Sequence, residues 1–231
     1  MSQVVEEVLS ESEARAKNIW LLSFGDVVTL LISFFILLIA VNKGEITKIQ
    51  KWSDEQVEHS FYYLQQQVER KGLPISLSYS LEGIKLVLHA DQSFKKGDYH
   101  PLPQLVQTLS EVADLLKSLP LLQLRQNPET QKIIQAIESK GYRWILEVNV
   151  EGHTDNDAVD PRSPVRNNWI LSALRAQTVA ELLAQSSQLP QDIFIASGFS
   201  EYRPVVENLS PAQKALNRRV EITVLGYFQK L

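Results

Sequence analysis

From Ile19 to Val41 the chain reads IWLLSFGDVVTLLISFFILLIAV, 23 residues with one ionisable side chain, Asp26. A helix of this length rises roughly 34 Å, enough to cross a hydrocarbon core about 30 Å thick. The sequence has one such run, so a single crossing is expected. A cleaved signal peptide is the competing interpretation. It calls for a basic flank and a small-x-small cleavage site, whereas residues 1–18 carry four glutamates. The expectation is therefore a short tail over 1–18 and a retained transmembrane helix over 19–41.

Asp26 is the informative residue of this run. A carboxylate inside a membrane helix costs on the order of 2.5–3.5 kcal/mol on insertion scales. Asp26 is the eighth residue, about 10 Å into the span by helical rise. Its short stem makes snorkelling to water difficult. The functional interpretation is a carboxyl that alternates between neutral and charged as an ion binds and leaves. One helix cannot enclose a pathway, so partner helices must. Ser23 and Thr29 lie three residues either side on the same helical face. Their hydroxyls either reach the carboxyl or bond their own backbone.

Outside the span the composition is that of an ordinary folded protein. The 23 Lys+Arg against 27 Asp+Glu leave a net charge of -4, so no electrostatic footprint for nucleic acid exists and that partner is not expected. The absence of cysteine excludes a disulfide framework, thiolate chemistry and cysteine-ligated zinc. The four histidines show no metal-ligand spacing, and no nucleophile–base pair stands out. Neither an enzyme, a metal nor a cofactor is expected.

Residues 44–71 are polar, with Val57, Phe61, Leu64 and Val68 on one helix face. An amphipathic helix is expected here, ending at Gly72 and Pro74. Residues 75–231 then alternate strand and helix signals. Residues 75–88 form a hairpin or a bent strand, 102–119 an amphipathic helix, and 144–150 a strand. A helix over 169–183, strands over 192–197 and 219–225, and a short helix over 211–216 follow. This order predicts an α/β sandwich with helices on one side of a sheet.

Two sets of motifs carry family resemblances. Trp20 to Thr29, WLLSFGDVVT, resembles the transmembrane segment of the MotB family, the B subunits of ion-driven stator motors. The resemblance implies that Asp26 carries the ion, with Ser23 and Thr29 as possible support. It also implies that residues 44–71 act as a plug blocking ion flow; pairing with a second copy in a dimer is the plainer alternative. Four further segments resemble the OmpA-like peptidoglycan-binding domain. They are EGHTD (151–155), NWILSALRA (168–176), SGFSEYRP (197–204) and NRRVEI (217–222). What they imply is recognition of the diaminopimelate of the peptide stem. By motif position Asp155 meets its amine and Arg175 a carboxylate, with Asn168 and Arg219 as weaker polar support. The alternatives are that Asp155 caps a turn and that Arg175 is a surface helix residue. His153 is expected to be packed and Glu201 to fix a loop.

Three features depart from that pattern. The glycine usual after EGHTD is absent and the loop over 156–167 is longer. Ser200 replaces a common glycine. An extra segment, 121–143, is expected to add a helix over 128–140.

Together these resemblances imply an α/β fold with domains at 1–18 (cytoplasmic tail), 19–41 (transmembrane helix), 42–74 (juxtamembrane helix, plug and linker) and 75–231 (OmpA-like). They imply an inner-membrane stator B subunit, a homodimer inside a ring of MotA-like A subunits, moving H+ or Na+ and anchored to peptidoglycan. The lysines at 43, 48 and 51 lean weakly toward a cytoplasmic C-terminus, but peptidoglycan lies outside the membrane, so the C-terminal domain is expected there. A stator of a Zorya-type anti-phage system and a passive wall anchor are the alternatives. The short acidic tail departs from the basic tail common in flagellar B subunits, the sequence leaves flagellar and defence roles open, and Asp26 speaks against the passive anchor.

Overall fold

A computed structural model of the chain describes the backbone of residues 2–89, 93–95, 97–160 and 162–231, and the side chains of these except 2–18, 41–43 and 45. Helix α1 spans Ser2–Lys71. By compactness the chain divides into two units, Met1–Ile49 and Gln50–Leu231.

In the first unit, Ile19–Ala40 is long and apolar enough to cross a membrane, and none of it is buried within the chain. Trp20 stacks on Phe24, four residues on, at 5.5 Å.

The second unit is a five-stranded sheet with helices. After α1 it runs β1 (Ser76–Ser80), β2 (Gly83–His89), α2 (Pro103–Lys117), α3 (Pro120–Gln123), α4 (Pro128–Glu138), β3 (Tyr142–His153), α5 (Asn168–Ser187), β4 (Phe194–Gly198), α6 (Pro211–Asn217) and β5 (Arg219–Lys230). The strand order is β1-β2-β5-β3-β4. Among the described residues β3 and β4 alone pair in parallel, as the intervening α5 allows. The segment at 75–88 is a hairpin, turning where Gly83 takes φ +115°. Helix α5 is capped by Asn167, whose side chain accepts from the Ile170 N–H at 2.9 Å.

Strand alternation sorts the sheet into two faces. Ile84, Leu86, Leu88, Val148, Val150, Val220, Ile222 and Val224 are buried with Leu105, Leu109, Val112 and Leu116 of α2 and Val179 and Leu183 of α5. The glycines of two motifs set how closely α5 approaches. A methyl group at Gly152 would collide with the Ser172 carbonyl, and one at Gly198 with the backbone of Ala173.

The juxtamembrane helix is part of this core, which moves the boundary expected near 75 to Gln50. Val57, Leu64 and Val68 are buried within the domain itself, so the apolar face expected to pair with a second copy is covered inside the chain. Trp52 meets Trp144 at 5.8 Å and Phe228 at 5.9 Å. The extra segment completes this packing. Its Leu121, Leu124 and Ile134 are buried, and the Leu121 N–H donates to Ser60 Oγ at 2.9 Å. Its helix α4 starts at Pro128 as expected, with the Asn127 side chain capping Glu129 N.

The odd-numbered residues make an outer, polar face. Glu221 accepts from Arg219 Nε at 2.6 Å and pairs with Lys85 Nζ at 2.7 Å. His153 beside them is 2% exposed, and neither ring nitrogen has a hydrogen-bond partner among the described residues. It stacks on Phe199 at 5.6 Å, and Arg203 lies over the Phe199 ring at 3.6 Å. Burial, and after it the Arg219 charge, push the imidazole down from 6.5 to about 4. The folded state therefore holds His153 neutral while the unfolded chain takes up its proton below about pH 6.5. The stability it contributes is present above that value and is lost as pH falls toward about 4, on the order of 2–3 kcal/mol. Thermal unfolding of wild type and His153→Phe between pH 7 and pH 4 checks this: the variant is expected to show the shallower decline.

Candidate functional site

The sheet's β3 end, the start of α5 and the segment before β5 enclose a pocket of about 540 Å³. Each wall has a sequence origin. Asp155 follows β3 directly, so the strand's end places it. Arg175 is on α5, two turns in from Asn168. Arg218 is the last residue before β5. Phe94, Leu171 and Val159 supply apolar surface.

Asp155 is 6% exposed. Its Oδ2 accepts from Arg218 Nη1 at 2.6 Å and its Oδ1 accepts from the Asp157 N–H at 3.1 Å. It therefore does cap a turn, and its second oxygen forms a partly buried ion pair with Arg218 at the pocket wall. Arg175, 3% exposed, is no surface residue. Its Nε donates to the Asp98 carbonyl at 3.0 Å and Nη2 to that of Lys95 at 3.3 Å. The guanidinium lies 5.0 Å from the Phe94 ring centroid, which ties Phe94, Lys95 and Asp98 to α5 at the pocket.

Asn168 lines the pocket but acts as a brace. Its Nδ2 donates to the carbonyls of Asp155 at 3.3 Å and Asp157 at 2.9 Å, and approaches Glu201 Oε2 at 3.4 Å. Glu201 thus has the loop-fixing role expected of it. The long loop over 156–167 forms a wall of the pocket through Asp157, Val159, Asp160 and Ser163, and Lys214 Nζ pins it at Asp157 Oδ1, 2.5 Å away. Asp160 is held below the usual carboxylate range by hydrogen bonds from Arg162.

Arg219 does not join this site. Strand alternation sends it to the outer face with Glu221, and Arg218 takes the place expected of it. The signal was present in the Arg218-Arg219 pair, since successive residues at a strand's start point to opposite faces. Ser200 carries a left-handed φ of +53°, the conformation that a glycine adopts without strain. Its N–H donates to Ser172 Oγ at 3.0 Å.

A second cluster, on the outer face, brings the ligand atoms of Glu151, His153 and Glu221 within 4.8 Å of one another. It fits a metal ion poorly. Glu221 is already engaged by Arg219 and Lys85, and Arg203 stands 3.8 Å from Glu151. Those three cations oppose a fourth.

In the membrane-type helix, Thr29 Oγ1 donates to the Asp26 backbone carbonyl at 2.9 Å. The hydroxyl is thus spent on the backbone, and Asp26 itself is exposed. Chemically, the pocket sets a buried carboxylate beside two guanidiniums, an arrangement suited to a ligand carrying both an amine and carboxylates.

Comparison with known proteins agrees with this architecture. The OmpA family profile matches residues 94–218, more than half of the chain. A second profile, described as membrane MotB of the proton-channel complex MotA/MotB, matches residues 6–55. The protein YtxE of Bacillus subtilis (strain 168) is 28% identical over 235 residues, covering 93% of this chain and 91% of its own. Motility protein B of the same organism is 38% identical over 76 residues, 33% of this chain and 29% of its own length. Among solved structures, a MotB like protein from Desulfovibrio vulgaris superposes with a TM-score of 0.60 at 21% identity, over 77% of this chain and 98% of that one, a likeness of fold. The chain belongs to the OmpA family and is a MotB-like member of it, with an apolar helix ahead of the OmpA-family domain.

Proposed function

We propose that this chain is the B subunit of an inner-membrane, ion-driven stator motor, with Asp26 as the ion-carrying group and the pocket of Asp155 and Arg175 as its attachment to peptidoglycan. The observation that carries the motor half is Asp26, the one ionisable residue of the span Ile19–Ala40. A passive tether has no use for a carboxylate whose insertion costs on the order of 2.5–3.5 kcal/mol. Similarity to the membrane MotB profile across this helix supports the same reading.

The attachment half follows from the pocket. Diaminopimelate presents an ammonium group and carboxylates on one short chain. Asp155 accepts from the ammonium, and the planar forks of Arg175 and Arg218 meet carboxylate. Because Asp155 is paired with Arg218, the incoming ammonium shares that carboxylate while Arg218 swings toward the ligand. Peptidoglycan places this domain outside the inner membrane and the N-terminal tail in the cytoplasm. Asp26 needs a ring of A-type subunits around it, since one helix cannot form a pathway, and two copies of this chain would stand within that ring. The cargo is H+ or Na+, set by the A subunits that complete the pathway.

Two outcomes are expected. Asp155→Ala and Arg175→Ala each reduce co-sedimentation of the full chain with purified sacculi by at least about tenfold, the loss of one charge-assisted contact, while circular dichroism stays unchanged. Undiminished binding by both variants removes the pocket assignment. Separately, cells carrying Asp26→Asn as their sole copy lose the motor-dependent phenotype at unchanged membrane levels and unchanged sacculus binding. An intact phenotype would mean that Asp26 carries nothing.

A further inference from the structure

Trp169 and Tyr202 form a stacked pair, ring centroids 5.3 Å apart at 27°, yet both are exposed, Trp169 at 51% and Tyr202 at 67%. Two large aromatics left open to water side by side are unusual in a folded domain and mark a contact surface. Their backbones are also tied together. The Trp169 carbonyl accepts from Ser172 Oγ at 3.0 Å, and the same Oγ accepts from the Ser200 N–H at 3.0 Å. The Tyr202 N–H in turn donates to the Phe199 carbonyl at 3.2 Å. One serine hydroxyl thus links the first turn of α5 to the turn that carries Tyr202.

Each ring is next in sequence to a side chain tied to the pocket wall. Trp169 follows Asn168, whose side chain reaches the Asp155 carbonyl, and Tyr202 follows Glu201, which Asn168 also contacts. We propose that Trp169 and Tyr202 are a glycan subsite, on which a pyranose ring of the peptidoglycan strand stacks while its stem peptide occupies the pocket. This inference rests on the peptidoglycan reading above and extends it from the peptide to the sugar.

The chemistry fits. A pyranose offers a face of C–H groups that packs flat on an aromatic ring, with hydroxyls around its rim. Glu201, which precedes Tyr202 in sequence, is a polar partner for such a rim.

The test uses the full chain in detergent and two defined probes: the free stem tripeptide ending in diaminopimelate, and the same tripeptide on its disaccharide. Calorimetric titration of the wild type should show the disaccharide-bearing probe binding about tenfold tighter, the order expected for covering one aromatic face. Trp169→Ala and Tyr202→Ala should each erase most of that difference and leave tripeptide affinity unchanged, which also reports an intact fold. Trp169→Phe should retain most of it. Equal wild-type affinity for the two probes overturns the glycan subsite, as does a difference that survives both alanine variants or an equal loss for both probes. Wild-type binding to neither probe overturns the peptidoglycan reading itself.

Discussion

The close seating of helix α5 on the parallel pair β3–β4 is the contact on which the rest of the domain depends. It exists because Gly152 and Gly198 lack side chains where the backbone of Ser172 and Ala173 comes down on the sheet. That approach brings Arg175 and Asn168 into the pocket that Asp155 enters from the end of β3. It also places Ser172 Oγ where it joins Trp169 to Ser200. Interiors pack to crystal-like density, so a methyl group at either glycine would lift α5 and displace the acid from the base. Pocket and aromatic platform thus share one mechanical origin.

The membrane helix obeys a different constraint. Its carboxyl has no hydrogen-bonding help from Thr29, whose hydroxyl is committed to the Asp26 carbonyl. The side chain is open on the surface of a lone helix, which a hydrocarbon environment tolerates only with other helices around it. On the proposed function the chain joins two incomplete devices, a carboxyl that needs a pathway around it and a pocket that needs its anchor, and force generated at the first has meaning only if the second holds fast.

Periodicity and motif order made most of the fold legible. The strand of WILEVNV, the α2 and α5 helices and the α/β class all follow from alternation and helical spacing, because those patterns report a buried face directly. Partners were harder to read. The face of Val57, Leu64 and Val68 is plainly apolar, but nothing local says whether a second copy or the domain itself covers it; Leu121 and Trp144, far along the chain, supply the answer. Arg218 and Arg219 were ambiguous for the same reason. Alternation separates their faces without saying which one carries the pocket. The outer-face cluster of Glu151, His153 and Glu221 was invisible, since it forms only when β3 and β5 pair in register.

The claim that most needs a direct measurement is ion transfer through Asp26. Vesicles containing this chain together with its A-type partner should show ion flux, resolved into proton and sodium components by varying pH and sodium separately. The account predicts flux with the wild-type chain and none with Asp26→Asn at equal incorporation. Equal flux through both would contradict it.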